Sequence, residues 1–235
     1  MTFASHLPED GEQVQRFRAR HQDKNDLDEG TAADLGTPET CLSPAVCYHV
    51  YHLHEGQTVP GPGLAYGVCG RCFRYEAGNF AGLRCLWDFT LREVVFLGTR
   101  ADVLRHREEG IERVARFLEG HQLAGEVRTA SDPFFIAPDA VAKTYFQLSS
   151  ETKYEVSLLL PEGARLAAGS LNYHTDFFGR AFDVQVEGDG PMHSACIGFG
   201  LERWVYAFLA QHGDNPAFWP PVVREAAEVH SCISG

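Results

Sequence analysis

Apolar and polar positions along this chain fall into two rhythms, one of helices and one of strands. After Thr99, the apolar residues Val103, Leu104, Ile111, Val114, Phe117 and Leu118 recur at helical spacing, with charges between them. That pattern predicts a helix with a solvated charged face, opened by Thr99 as N-cap with Asp102 at the third helical position. Residues 89–97 instead partly alternate apolar and polar, as a half-buried strand does. Before them run Cys72-Phe-Arg-Tyr-Glu76 and a short loop containing glycine, so two antiparallel strands joined by a loop are expected. Strand-like runs follow near residues 154–160, 181–186 and 193–197, then an apolar helix carrying Arg203 and a last helix near 221–229. Upstream, residues 11–22 suit one short helix and residues 23–31 a polar loop. Strands that return on one another with helices outside give an α+β fold on an antiparallel sheet.

The candidate chemistry starts at Cys196-Ile-Gly-Phe-Gly-Leu-Glu-Arg203, which leads into that apolar helix. Two glycines at a strand end let a polyanion approach the backbone. A guanidinium three residues on offers a planar fork of donors matched to phosphate oxygens. GxGxxR alone is common at strand-to-helix turns. The upstream hairpin adds Arg74 for a phosphate, Glu76 to accept from an exocyclic amine, and Phe89 to stack on a purine. Without Arg203, a hairpin with ordinary surface charges is the plainer reading. With it, the set describes a nucleotide site.

Composition bounds the rest. At 235 residues and 44% hydrophobic, the chain is long enough for one domain with a full core. Its seven cysteines are an odd number, and the polar start Met1-Thr-Phe-Ala-Ser-His6 is unlike a secretory leader. Both favour a reducing cytoplasm with free or metal-bound thiols. Cys69-Gly-Arg-Cys72 has a metal-knuckle spacing but no second pair, and on a strand its thiols would face opposite ways. They read as core or surface thiols. A net charge of −12 disfavours a nucleic-acid partner, which needs a basic face, and no long apolar run suggests a membrane.

In order and at these separations, Phe73-Arg-Tyr-Glu76, Phe89 and Gly198-Phe-Gly-Leu-Glu-Arg203 resemble motifs 2 and 3 of the class II aminoacyl-tRNA synthetases. The seryl enzyme's catalytic core is the nearest in kind. Leu42-Ser-Pro-Ala-Val-Cys47 resembles its substrate-binding segment, and Ser170 with Asp176-Phe-Phe-Gly-Arg180 its stretch before motif 3. The likeness runs from Leu42 onward, which makes residues 1–41 a lead-in and 42–235 a class II synthetase-like catalytic domain. It implies ATP-dependent activation of an amino acid as aminoacyl-adenylate. Arg74 would hold the α-phosphate, Glu76 the adenine amine, Phe89 the adenine ring and Arg203 the far end of the triphosphate, with Ser170 also at the nucleotide. One branch, the archaeal-type seryl enzymes and the small amino acid:carrier-protein ligases, carries a Cys/Glu/Cys zinc site, and here Cys47, Glu93 and Cys196 fall in that register. Two thiolates and a carboxylate leave a fourth position open, which would take the substrate's α-amino group.

The resemblance also addresses the acceptor. A seryl-tRNA synthetase uses a long helical arm before its core, and about forty residues precede Leu42 here. The loop Ala77-Gly-Asn-Phe-Ala-Gly82 is short as well. A phosphopantetheinylated carrier protein is therefore the expected partner, with glycine or alanine as the amino acid. Two departures stand out. The long motif 1 helix that builds the usual homodimer is not recognisable, and Ala167 stands where the family places a carboxylate for the magnesium of ATP, with Glu155 as a candidate substitute. They support a second expectation: a synthetase-like protein that has lost activation and serves as a zinc, amino-acid or carrier-binding or aminoacyl-transfer protein.

Overall fold

The computed structural model of the protein describes residues 2–5, 10–23, 34–75, 82–130 and 153–233. Glu76, most of the loop that follows it and most of the expected polar loop at 23–31 lie outside the described residues. Near the start, β1 (Thr2–Ala4) pairs antiparallel with β2 (Thr40–Leu42), and α1 (Gly11–His21) lies between them in the chain, capped by the Asp10 carboxylate. The expected short helix is thus present.

Helix α2 (Cys47–Leu53), which the apolar pattern did not announce, precedes β3 (Thr58–Val59) and the long strands β4 (Leu64–Phe73) and β5 (Asp88–Gly98). The expected hairpin is correct, with Cys72 opposite Phe89. Burial in β5 alternates through Leu91, Glu93, Val95 and Leu97, so a carboxylate occupies a position that its neighbours fill with hydrocarbon. In β4, Cys69 is exposed and Cys72 buried, as the strand geometry requires.

Thr99 opens α3 (Arg100–Gly120): its Oγ accepts from the Asp102 N–H at 3.2 Å while donating to the Asp102 carboxylate at 2.7 Å. Such a cap stabilises a helix by about 1 kcal/mol. The buried stripe of α3 is Val103, Arg107, Gly110, Val114 and Leu118. Phe117, expected inside, is exposed and stacks on His121.

Next come β6 (Gly125–Thr129), β7 (Lys153–Leu159) and β8 (Arg165–Tyr173), then α4 (Phe177–Ala181), β9 (Gln185–Val186) and β10 (His193–Gly200), and finally α5 (Leu201–His212) and α6 (Pro221–Ile233). The strand expected at 181–186 is a correction. Residues 177–181 are helical, Asp183 turns the chain with φ 50°, and only Gln185 and Val186 pair, in parallel with β3. Strand β8 was absent from the expectation, because Leu-Ala-Ala-Gly offers little alternation at its start.

The main sheet is six-stranded and antiparallel, in the order β4-β5-β10-β8-β7-β6. One face packs on α2 and α4 through Val50, Tyr51, Val95, Leu97, Phe178 and Met192. The other packs on α3 and α5 through Val114, Leu118, Val156, Leu171, Ile197 and Ala207. This is the α+β architecture expected, and it lays Cys47 and Cys196 in the core of the first of these faces.

Candidate active site and metal centre

Strand register explains the site. One row across the sheet reads Val68, Glu93, Gly198, Ser170, Glu155, and the next reads Tyr66, Val95, Cys196, Asn172, Lys153. At Gly198 the row loses its side chain, and a Cβ there would sit 3.2 Å from Glu93 Oε1. That gap is the floor of a cavity of about 280 Å³, lined among others by Arg74, Phe89, Glu93, Ser170, Gly198 and Arg203. The paired glycines of Gly198-Phe-Gly200 therefore make room on the sheet.

Cys47, at the start of α2, meets Glu93, which lines this cavity, and Cys196. Their ligand atoms all lie within 4.8 Å of one another and all three residues are buried. Glu93 Oε2 accepts the Cys47 backbone N–H at 2.7 Å, which leaves Oε1 facing Cys196 Sγ at 3.8 Å. Burial pushes the Glu93 carboxyl above its ordinary range, against the pull of the Cys47 hydrogen bonds and the Arg74 charge. The Cys196 thiol is pushed well up, first by its hydrogen bond with Cys47 and then by burial. Desolvation penalises each ionised form, and a divalent cation would offset that penalty directly. The donor set suits zinc: two sulfurs and one oxygen, with a fourth tetrahedral position open. Cys72 is a plain buried thiol by contrast, raised to about 11 mainly by burial.

The other expected residues line the same cavity. Arg74 follows the end of β4, where its Nε donates to the Pro44 carbonyl at 2.9 Å and its guanidinium lies 5.2 Å from the Phe89 ring centroid. The Ser43 carbonyl accepts from Phe73 N–H at 2.9 Å, so the segment before α2 is stitched to the hairpin that carries Arg74. Arg203 Nε donates to the Arg84 carbonyl at 2.8 Å and its Nη1 to the Ala167 carbonyl at 2.9 Å. Backbone acceptors thus hold two guanidinium groups in the cavity lining. Ala167 presents only a methyl group. Glu155 also lines the cavity, but its carboxylate is 3.4 Å from Arg128.

Glu202 and Asn172 escaped the motif search. Glu202 accepts the Thr90 N–H with both oxygens, at 2.8 and 2.9 Å, tying α5 to β5. Asn172 donates to Ser170 Oγ at 3.0 Å and to Cys196 Sγ at 3.6 Å, while its buried Oδ1 has no partner among the described residues. His174 sits behind Cys196, 2% exposed. The alternation in Ser170-Leu-Asn-Tyr173 carries the information that would have found Asn172, which shares a sheet face with Ser170.

Comparison with protein-family models gives no match. Among curated proteins, amino acid–[acyl-carrier-protein] ligase 1 of Bradyrhizobium diazoefficiens is 34% identical over 195 residues, covering 81% of this chain and 58% of the ligase. Type-2 serine–tRNA ligase of Methanopyrus kandleri is 30% identical over 201 residues, covering 81% of this chain and 38% of that protein. The chain thus spans little more than half the length of the carrier-protein ligase it matches. Among solved structures, M. kandleri SerRS in complex with A. aeolicus tRNASec superposes with a TM-score of 0.80 at 28% identity, over 96% of this chain and 45% of that one. The Pyrococcus horikoshii seryl-tRNA synthetase complexed with ATP, at 17% identity and a TM-score of 0.59 over 72% of this chain and 38% of that one, shows the fold alone. In the described residues no helix is long and apolar enough to cross a membrane. By sequence the chain is similar to the amino acid–[acyl-carrier-protein] ligases and the type-2 seryl-tRNA ligases, and its fold is that of a class II seryl-tRNA synthetase catalytic domain.

Proposed function

We propose that the protein activates a small amino acid, glycine or alanine, with ATP and passes it to the phosphopantetheine thiol of a carrier protein. The observation that carries this reading is a buried Cys47/Glu93/Cys196 donor set whose Glu93 lines the same cavity as Arg74, Phe89 and Arg203. When bound there, Zn²⁺ would supply a Lewis-acid site for the substrate's α-amino group. Cys47, Glu93 and Cys196 would hold the ion, and the unpaired Asn172 Oδ1 suits an N–H donor beside it.

In this reading, Arg74 and Arg203 position the triphosphate of ATP with its Mg²⁺. The amino acid's carboxylate attacks the α-phosphorus and pyrophosphate leaves. Adenylation asks little more of the protein than alignment and charge stabilisation. The carrier thiol then attacks the mixed-anhydride carbonyl, AMP departs, and the thiol proton passes to solvent. No nucleophile from this chain is needed, since a thiol ionises readily near neutral pH. Gly198 and Ser170 leave a small space beside the donor set, which suits a small side chain.

A second reading is favoured by one observation, the Ala167 methyl where a magnesium-binding carboxylate would serve. On it, the chain keeps the amino-acid and carrier sites but no longer activates. Single-turnover incubation of zinc-replete protein with ATP, Mg²⁺ and glycine, alanine or serine separates the two. Amino-acid-dependent pyrophosphate and adenylate support the ligase. Stoichiometric zinc with no adenylate from any of the three favours the binding or transfer protein.

A further inference from the structure

Cys196 Sγ is approached by groups the donor set does not include. The Asn172 amide nitrogen lies 3.6 Å away on the neighbouring strand, and His174 Nε2 lies 3.5 Å away, on the residue just past that strand's end. His174 is held on its other side as well. Its Nδ1 is 3.2 Å from the Tyr51 hydroxyl and 3.1 Å from Ser194 Oγ, and Tyr51 is itself fixed by a stack on Phe178 with ring centroids 4.0 Å apart. The backbone is pinned too: His174 N–H donates to the Ser194 carbonyl at 2.9 Å, and Thr175 Oγ donates to the His174 carbonyl at 2.6 Å. Thr175 takes a left-handed φ of 55°, uncommon for a β-branched residue. The turn after His174 is therefore set by its surroundings.

We propose that His174 is a positioning residue for the metal centre, donating Nε2–H to the Cys196 thiolate. This rests on the zinc reading above. A metal-bound thiolate has no proton and acts only as an acceptor, so it selects the tautomer with hydrogen on Nε2. Nδ1 then accepts, and two hydroxyls stand ready to donate to it. Partners of this kind fix the orientation and the charge of a metal ligand.

The consequence is electronic as well as geometric. Two thiolates and a carboxylate carry three negative charges against the ion's two, which would blunt its attraction for an amine. N–H donors from His174 and Asn172 draw charge off Cys196 and keep the open position electrophilic. Cys47 receives no such pair of donors from the described residues, so the two sulfurs of the site are inequivalent.

The test uses Co²⁺ as a spectroscopic substitute for Zn²⁺, with metal affinity measured by chelator competition. In His174→Ala, affinity is expected to fall about 10–100-fold, and the thiolate-to-cobalt charge-transfer band should move to lower energy as Cys196 becomes more electron-rich. His174→Gln, which can still donate an N–H, should recover much of both. Circular dichroism and thermal unfolding of the metal-free proteins check folding, and His174→Asn serves as a further variant if the alanine form does not fold. A His174→Ala protein with wild-type affinity and an unmoved band would overturn the proposal while leaving the metal site intact. A wild-type protein that takes up no stoichiometric Co²⁺ or Zn²⁺ would overturn the metal reading and this proposal together.

Discussion

Replacing Glu93 with glutamine changes one charge and almost no volume, and its predicted effects on metal binding and on stability differ in sign. Glu93 is 4% exposed, and burial raises its carboxyl above the ordinary value. In the metal-free protein the folded state holds that proton more tightly than the unfolded chain does. The stabilisation is fully present below a pH of about 4.5 and is lost as pH rises through the folded-state pKa. At pH 8 the metal-free wild type carries a buried carboxylate at a cost. Glutamine removes that cost. Its amide oxygen can still accept the Cys47 N–H that Glu93 accepts at 2.7 Å, and its NH₂ can reach Cys196.

The metal-free Glu93→Gln protein should therefore unfold within about 1 kcal/mol of wild type at pH 8, which for this size is roughly 2–4 °C, or above it. Metal binding should fall sharply. Structural zinc sites are worth about 10–16 kcal/mol over four ligands. Loss of one anionic ligand is then roughly 3–4 kcal/mol, or about 10²–10³-fold in Kd. Chelator competition for zinc and denaturant melts of stripped protein give the two numbers. Zinc affinity within threefold of wild type would remove Glu93 from the metal site. A stripped variant weaker than wild type by more than about 3 kcal/mol would instead assign its charge a structural role beside Arg74.

Other outcomes follow from the same geometry. Zinc affinity should climb with pH through the neutral range, because binding displaces the proton of Cys196, whose thiol is held well above its ordinary value; a flat profile would contradict this. Arg203→Ala should lower amino-acid-dependent pyrophosphate release by at least about 10²-fold, the scale for losing one oriented charge at a reacting phosphate, with stoichiometric zinc retained. Ala167→Asp should raise adenylate yield at low Mg²⁺ if triphosphate charge limits the reaction, and an unchanged magnesium dependence would show that another group supplies that ligand. On the opposite face, a methyl group on Gly110 would overlap Ile197 Cδ1. Gly110→Ala should thus destabilise by about 1–3 kcal/mol despite its better helix propensity, and adding Ile197→Val should recover part of the loss in denaturant melts.

Local sequence was enough for several features that depend on near neighbours. The Thr99 cap, the stripe of α3 and the hairpin of β4 and β5 follow from backbone chemistry within a few residues, and the order of Arg74, Phe89 and Arg203 carried the family likeness. The strand expected at 181–186 failed because a helix, a left-handed Asp183 and two paired residues share a stretch whose composition reads as one element. Phe117 failed because periodicity names a face without saying what covers it. Cys47, Glu93 and Cys196 stood as a set through their likeness to a known branch, while the residues around Glu93, which put it in line with Leu91 and Val95, do not say whether it is covered or what it meets.

That distinction belongs to the tertiary structure. Strand register sets Glu93 opposite Gly198 and Cys196 opposite Asn172, and the start of α2 brings Cys47 onto both. These residues lie far apart in the chain, so their meeting depends on sheet pairing that no local pattern specifies. The chain by itself determined which side chains are present, which segments can be strands or helices, and which residues share a face. Burial, the unpaired Asn172 oxygen and the His174 contact to Cys196 arise only when distant strands pair, because desolvation and hydrogen-bond geometry depend on atoms that other parts of the chain supply.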